Sequence, residues 1–156
     1  MITLQTKHLQ IINCHAEKVY PEECCGLLLG RLKGESKLVT EVWETENIWD
    51  SNTAASFQEI TGLKKRESSK ERSFTIDPKV MLQAQKYAYK QQLSIIGIYH
   101  SHPDYPAIPS EFDRAIAWQQ YSYIIVSVNQ GKAQDIRSWV LDEEHQFQEE
   151  VFLVDF

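Results

Sequence analysis

The chain has 156 residues, of which 42% are hydrophobic and 24% are charged, a balance typical of one globular domain. Its formal net charge of -6 argues against nonspecific binding to DNA or RNA, because phosphate binding requires clustered Lys and Arg. No apolar run approaches the length of a membrane span, and the N-terminal segment lacks the continuous apolar stretch of a signal peptide. We therefore expect a single cytoplasmic domain over residues 1–156 without a nucleic-acid or membrane partner. The negative charge suits a protein partner with a basic docking surface.

The first half of the chain predicts a helix and a β-hairpin. Leu9, Ile12, Ala16 and Val19 recur at helical spacing, which predicts an amphipathic helix over Leu4–Tyr20. Two strands are expected to follow as hairpin partners, over "CCGLLLGRL" (24–32) and "KLVTEVWETE" (37–46). The three cysteines, at 14, 24 and 25, are odd in number and two are adjacent, which indicates reduced, mostly buried thiols rather than disulfides.

Between Asn47 and Ser73 the periodic pattern fades into a polar, serine-rich segment. A loop of this length is uncommon inside a compact domain and is usually functional or mobile. We interpret it as a mobile insertion within the single domain. Its basic cluster of Lys64, Lys65 and Arg66 could meet an acidic partner, or could be only a solvated face.

The second half of the chain mixes helices and strands. In chain order the pattern predicts a short strand at 74–77, a helix over Lys79–Gln92 capped by Asp77, a strand at 93–102, a helix over Ser110–Tyr121, and strands at 123–128, 135–142 and 147–156. This order favours an α/β (α+β) fold in which helices flank a curved, mixed β-sheet.

Two histidines at the end of a predicted strand are the first candidates for chemistry. Because residues i and i+2 face the same way in a strand, His100 and His102 can reach one ion. Two imidazoles, one carboxylate and an open position make a catalytic zinc set. Taken alone, the two histidines are weak evidence for a metal site, because histidines at a strand end are often only polar surface residues.

Asp113 is the first choice for the carboxylate ligand, three residues after Ser110 in the first turn of a predicted helix. The same two residues also form a helix-capping pattern, and a cap does not compete with ligation because a carboxylate has several lone pairs. Asp104 and Glu111 remain alternatives, with Asp104 ranked lower because it lies too close along the chain to both histidines.

Hydrolysis at such a site also needs a group that moves a proton. Glu22 and Glu23 immediately precede the predicted strand at 24–32, and the period of two allows only one of them to point inward.

Taken together, these residues resemble a known motif. His100-Ser101-His102, seven residues, and Ser110-Glu111-Phe112-Asp113 match HxH-x7-SxxD, and "PEECCGLLLG" matches the glutamate-bearing strand that precedes it. The chain resembles, over almost its whole length, the JAMM (MPN+) metalloprotease family, also called Mov34/MPN/PAD-1. The resemblance implies a JAMM/MPN core, of cytidine-deaminase-like type, and zinc metallopeptidase or isopeptidase activity.

Carried over by position, the resemblance implies that His100, His102 and Asp113 hold one Zn2+. It makes Glu23 the catalytic acid/base, because one residue separates it from Cys25-Gly26. Ser110 is implied to orient the attacking water or to stabilise the oxyanion. The partner implied is a ubiquitin-like or sulfur-carrier protein, cut after its C-terminal Gly-Gly, as in the bacterial stand-alone members.

Two other interpretations stay open at this stage. The chain could be a noncatalytic MPN-type binding module for a ubiquitin-like carrier protein, although a structural zinc site usually has four protein ligands and only three are evident. It could also be related to the JAB-like domain of RadC-type proteins, which the glutamate strand near the N-terminus disfavours.

Overall fold

The computed structural model describes residues 1–62 and 69–155, and in these residues eight strands form one sheet. The strands are β1 Ile2–Gln5, β2 Cys25–Lys33, β3 Ser36–Thr45, β4 Ser94–Pro103, β5 Ser122–Asn129, β6 Lys132–Leu141, β7 Phe147–Glu150 and β8 Phe152–Asp155. The helices are α1 Thr6–Val19, α2 Ser51–Thr61, α3 Pro78–Lys90 and α4 Glu111–Ile116. In the sheet the strands follow the order β7-β6-β5-β4-β2-β3-β1-β8.

The sheet is mixed and strongly curved. Parallel pairs join β1 to β3, β1 to β8 and β4 to β5, and the other neighbours are antiparallel. β7 and β8 lie at opposite ends of the strand order although only Val151 separates them along the chain. The two edges must therefore approach each other, and the Ile2 N–H donates to the Val151 carbonyl at 3.0 Å. The predicted α/β fold, with a curved mixed sheet flanked by helices, is confirmed.

Helices pack on both faces of the sheet. Leu28 of β2 packs in the cluster that contains the buried apolar residues of α1. Leu27 and Leu29, which point to the other face, pack with Ala84 and Ala88 of α3. Full burial of each leucine contributes about 1.5–3 kcal/mol relative to exposure. This run of buried residues fixes β2 at the centre of the sheet, next to β4.

We expect Gly26→Ala to destabilise the fold by about 1–3 kcal/mol, the usual cost of overpacking a core. Gly26 pairs with Tyr99 of β4, and a Cβ atom at Gly26 would lie 2.1 Å from Cε1 of that ring. Tyr99 has little room to move, because it is fully buried and its hydroxyl lies 2.8 Å from Nδ1 of His15. Thermal unfolding followed by circular dichroism measures the loss of stability. An unfolding midpoint equal to that of the wild type would contradict the prediction.

The N-terminal helix begins later than predicted. Residues Ile2–Gln5 form β1, and α1 starts at Thr6 with Gln5 at its N-cap. Ile2 and Leu4 are both fully buried, which is the alternation of a strand. Pairing with β3 and β8 therefore overrides the helical pattern at these residues.

The segment after β3 contains a helix that the polar composition concealed. α2 begins after Asp50, whose side chain accepts from the Thr53 N–H at 2.8 Å, and it ends at Gly62 in the left-handed conformation. The expectation of a structureless loop was therefore wrong for 51–61, while the predicted mobility stays a prediction. The basic cluster of Lys64, Lys65 and Arg66 lies outside the described residues.

Three further boundaries differ from the prediction. Residues 74–77 form no strand in this described part of the chain. α4 ends at Ile116 rather than near Tyr121, because Ala117 is extended and the Trp118 N–H donates to the Tyr123 hydroxyl. The last predicted strand is divided at Val151 into β7 and β8, which join opposite edges of the sheet.

The helices of the described residues are short. The longest, α1, has 14 residues, and none is both long and apolar enough to cross a membrane. The cytoplasmic location stays a prediction.

Candidate metal centre

The register between β2 and β4 brings Glu23 beside the histidines. These strands are antiparallel and Cys25 pairs with His100, so position 23 lies opposite position 102. The Cys24 N–H donates to the Ser101 hydroxyl at 2.7 Å, which holds the strands together at this point. Glu23 is only 2% exposed, whereas Glu22 is exposed. Of the two glutamates, Glu23 is therefore the one that points inward.

Three ligand atoms form a triangle of the size that a tetrahedral zinc ion requires. Nε2 of His100 and Nε2 of His102 lie 3.1 Å apart, and each lies 3.4 Å from Oδ2 of Asp113. Zinc–nitrogen and zinc–oxygen bonds of about 2.0–2.2 Å at tetrahedral angles separate neighbouring ligand atoms by roughly 3.3–3.5 Å. The triangle therefore has the size to hold one zinc ion, and a tetrahedral ion held by these three atoms would have a fourth position for another group.

Glu23 lies next to this triangle. One ligand atom each of Glu23, His100 and His102 lies within 4.8 Å of the other two. All three side chains are almost completely buried. The carboxylate is therefore close enough to act on a molecule at the open position.

The tautomer of His102 follows from its backbone partner. Nδ1 of His102 lies 2.7 Å from the Pro106 carbonyl, which can only accept, so Nδ1 carries the proton. The unprotonated Nε2 then directs its lone pair at the triangle. A backbone carbonyl that fixes a histidine in this way is typical of metal ligands. Nδ1 of His100 has no hydrogen-bond partner in the described part of the chain.

The electrostatic interactions between Asp113 and the two histidines keep the Asp113 carboxylate ionised. Burial acts to raise the pKa of Asp113, but the two histidines outweigh it and hold that pKa well below the usual range. Burial lowers the pKa of His102, and the neighbouring His100 adds to this. For His100, burial also acts to lower the pKa, but Asp113 outweighs it and the net shift is upward. An ionised carboxylate and a neutral His102 are the protonation states that metal binding needs.

The start of α4 presents Asp113 to the histidines. The Ser110 hydroxyl accepts from the Asp113 N–H at 3.0 Å, and the Ser110 N–H donates to Oδ2 of Asp113 at 2.9 Å. The predicted helix cap is thereby confirmed. Phe112 packs edge-on against buried Trp49, with ring centroids 5.5 Å apart, which fixes the helix to the segment after β3.

The alternative ligands point elsewhere. The Asp104 carboxylate accepts from the Tyr20 hydroxyl at 2.6 Å and from the Gln130 N–H at 2.8 Å. Glu111 pairs with Arg114 on the exposed side of α4. Among the alternatives that the sequence left open, Asp113 is the carboxylate that faces both histidines.

The cysteines lie near the centre without the properties of a nucleophile. Cys24 and Cys25 are buried, as expected, whereas Cys14 is exposed. Burial raises the pKa of each buried thiol to about 12, so both stay protonated near neutral pH. The Cys25 thiol is engaged with Thr45 and with the Glu46 carbonyl, on the β3 side.

Sequence reasoning missed three residues that build the centre. The Asn47 side chain donates to the Glu23 and Ser73 carbonyls, at 3.0 and 2.9 Å, and so ties the glutamate to the segment before α3. Phe74 stacks on His100 with ring centroids 4.5 Å apart. The Tyr105 hydroxyl donates to Oε2 of Glu23 at 2.7 Å. These three contacts join distant segments, and no spacing within the sequence signals them.

An apolar cleft of about 460 Å³ lies near the candidate centre, and the Phe74 ring that stacks on His100 is one of its lining residues. Phe74 forms part of its wall, and Ile98 lies on the same face of β4 as His100. Other lining residues include Met81 of α3 and Trp118, which is 63% exposed. The cleft can therefore hold an extended, apolar segment.

The arrangement of the candidate metal centre agrees with the family to which the sequence matches. A model of prokaryotic homologues of the JAB domain matches residues 5–142. The chain belongs to this family. The resemblance to JAMM/MPN proteins inferred from the HxH-x7-SxxD spacing is thereby confirmed.

Two curated relatives of this JAB-family chain carry functional names. A protein of Pyrococcus furiosus named "Desampylase" is 32% identical over 82 residues, which are 53% of this chain and 56% of that protein. A protein of Thermus thermophilus named "Probable TtuB-protein conjugate cleaving protease" is 34% identical over 71 residues, 46% of this chain and 45% of that one. The chain thus spans about half the length of the curated relatives it matches.

Solved structures share the fold over the whole chain. A protein of Desulfitobacterium hafniense is 29% identical with a TM-score of 0.77, and the match covers 99% of this chain and 93% of that one. A JAB1/MPN domain protein of Archaeoglobus fulgidus is 15% identical with a TM-score of 0.56, over 100% and 98% of the two chains. The latter likeness shows the fold alone.

Proposed function

We propose that this JAB-family chain is a zinc-dependent metallopeptidase or isopeptidase. The observation that carries the proposal is the convergence of Glu23 with the three-residue ligand triangle of His100, His102 and Asp113. Three protein ligands with an open position are typical of catalytic zinc, whereas structural zinc usually has four. A buried carboxylate next to the open position is the further group that hydrolysis requires.

In the proposed reaction, residues of this chain transfer the proton of the attacking water and stabilise the negative charge that develops on the substrate oxygen. A zinc ion held by the triangle would lower the pKa of a coordinated water toward about 7 and polarise the substrate carbonyl. Glu23 accepts the proton of the attacking water and delivers it to the leaving amine. Ser110, whose oxygen accepts from the Asp113 N–H, keeps its own hydroxyl hydrogen to orient the water or to stabilise the oxyanion.

The proposed substrate is a ubiquitin-like or sulfur-carrier protein, cut at the amide bond after its C-terminal Gly-Gly. The names of the two curated relatives support a protein conjugate as the substrate. The apolar cleft, whose wall includes the Phe74 ring that stacks on His100, supports binding of an extended tail. Glycines at the end of that tail suit the buried histidines, because they let the backbone approach the ligand triangle closely.

The competing proposal is a noncatalytic binding module for the same kind of carrier protein. It predicts carrier binding that depends neither on zinc nor on Glu23. The position that a zinc ion with three protein ligands would leave open, and the buried glutamate, favour the enzyme, because a module that only binds needs neither.

The proposal is tested with a panel of small ubiquitin-like proteins that end in Gly-Gly, each extended by one residue, by a short peptide, or by an isopeptide-linked lysine. The zinc-loaded protein is expected to release the extension, and mass spectrometry locates the cut after the second glycine. Tails ending in Ala-Ala serve as the matched control and should be cut poorly. Binding of the carriers without any cut would instead support the noncatalytic module.

A further inference from the structure

Tyr105 makes a direct contact with the proposed proton-transfer group. Its hydroxyl donates to Oε2 of Glu23 at 2.7 Å. A hydrogen bond from a neutral donor to a carboxylate is charge-assisted and stronger than one between neutral groups. The tyrosine lies outside the HxH and SxxD positions, so neither motif assigns it a role.

Both faces of the Tyr105 ring are covered. One face stacks on His102, with centroids 4.0 Å apart and an interplanar angle of 14°. The Arg72 guanidinium lies over the ring, 4.6 Å from its centroid, and the stacked imidazole leaves only the opposite face for it. The ring thus joins a metal ligand to the glutamate in one rigid stack.

The backbone that carries Tyr105 is held in a strained turn. Asp104 has a φ of 62°, the left-handed region that costs a non-glycine residue free energy. Its carboxylate is fixed by the Tyr20 hydroxyl and the Gln130 N–H. The Ser127 hydroxyl donates to the Tyr105 carbonyl at 2.7 Å, which anchors the next residue to β5. These contacts hold the backbone on both sides of the Asp104–Tyr105 peptide bond.

We propose that Tyr105 is a positioning residue for Glu23. The hydroxyl holds Oε2 and so sets the rotation of the carboxylate relative to His100 and His102, before any substrate binds. The strained turn at Asp104 and the stack on His102 direct the hydroxyl to that oxygen. This inference rests on the proposed function in that Glu23 is taken as the group that moves the proton.

Tyr105→Phe tests the inference because it keeps the stacked ring and removes only the hydroxyl. We expect kcat to fall roughly tenfold to a hundredfold, since small misplacements of a catalytic group have effects of this size. KM and zinc content should stay unchanged. In the Glu23→Gln background the same substitution should cause no further loss, because it acts through the glutamate.

Tyr87→Phe is the matched control. The Tyr87 hydroxyl donates to Glu41 at 2.9 Å, so this variant removes a similar tyrosine–glutamate hydrogen bond, between α3 and β3. Its turnover should equal that of the wild type. An unchanged kcat in Tyr105→Phe, a change confined to KM, or equal losses in both variants would overturn the positioning role.

A second measurement needs neither activity nor metal. In the zinc-free protein, chemical unfolding is measured for Tyr105→Phe, for Glu23→Ala and for the double variant. Residues in direct contact give non-additive changes, so the double variant should shift the unfolding midpoint by less than the sum of the two single shifts. Additive shifts would overturn the inference. Failure of the wild type to cut any conjugate, with non-additive shifts retained, would instead count against the proposed function alone.

Discussion

Glu23→Gln is expected to keep zinc bound and to lower turnover by at least about 10²–10⁴-fold, the usual contribution of general acid–base catalysis. The amide has nearly the shape of the carboxylate but cannot accept the proton of the attacking water. Because the proposed ligands are His100, His102 and Asp113, the metal should stay. Cleavage of the Gly-Gly conjugate is measured by mass spectrometry and zinc content by atomic absorption.

Glu22→Gln provides the control for this substitution. Glu22 is the adjacent carboxylate and is exposed, so the variant changes the net charge equally without touching the centre. Its turnover should match the wild type. Retained turnover in Glu23→Gln would refute the acid/base role, and loss of zinc from that variant would show that Glu23 is a ligand instead.

Asp113→Asn is expected to lose zinc and, with it, all measurable cleavage. Asparagine can still accept from the Ser110 N–H, and Ser110 still caps α4, so the helix should remain, but the amide brings no negative charge to the cation. Zinc at 100 times its dissociation constant stabilises a protein by about 2.7 kcal/mol. The wild type should therefore unfold at a higher temperature with zinc than with a chelator, and the variant should show no such difference.

Glu111→Gln is the matched control for the aspartate. It removes an acidic residue from the same short helix, and Glu111 faces Arg114 rather than the histidines. Zinc content and the zinc-dependent rise in unfolding temperature should both be unchanged. Zinc retention in Asp113→Asn together with loss in Glu111→Gln would mean that the ligand assignment is wrong.

The sequence predicted the candidate centre better than it predicted several boundaries of the elements. His100 and His102 share one face of a strand, and Ser110 and Asp113 share the first turn of a helix, so local periodicity was enough to group each pair. The helix at Ser51–Thr61 was missed although Asp50 and Gly62 cap it, because its amphipathic pattern is weak. Pairing with neighbouring strands, which local patterns do not report, decided that Ile2–Gln5 is a strand.

The sequence by itself indicated the proposed kind of chemistry. The candidate ligand types, their spacing and the glutamate before the strand at 25–33 are local properties, and they suffice for the JAMM/MPN resemblance. Only the tertiary structure decided which side-chain atoms are in contact at the candidate centre. The antiparallel register of β2 and β4 selected Glu23 over Glu22, and the turn at Asp104 brought Tyr105 to that carboxylate. Both depend on contacts between residues about 80 positions apart, and such contacts arise from packing rather than from local sequence.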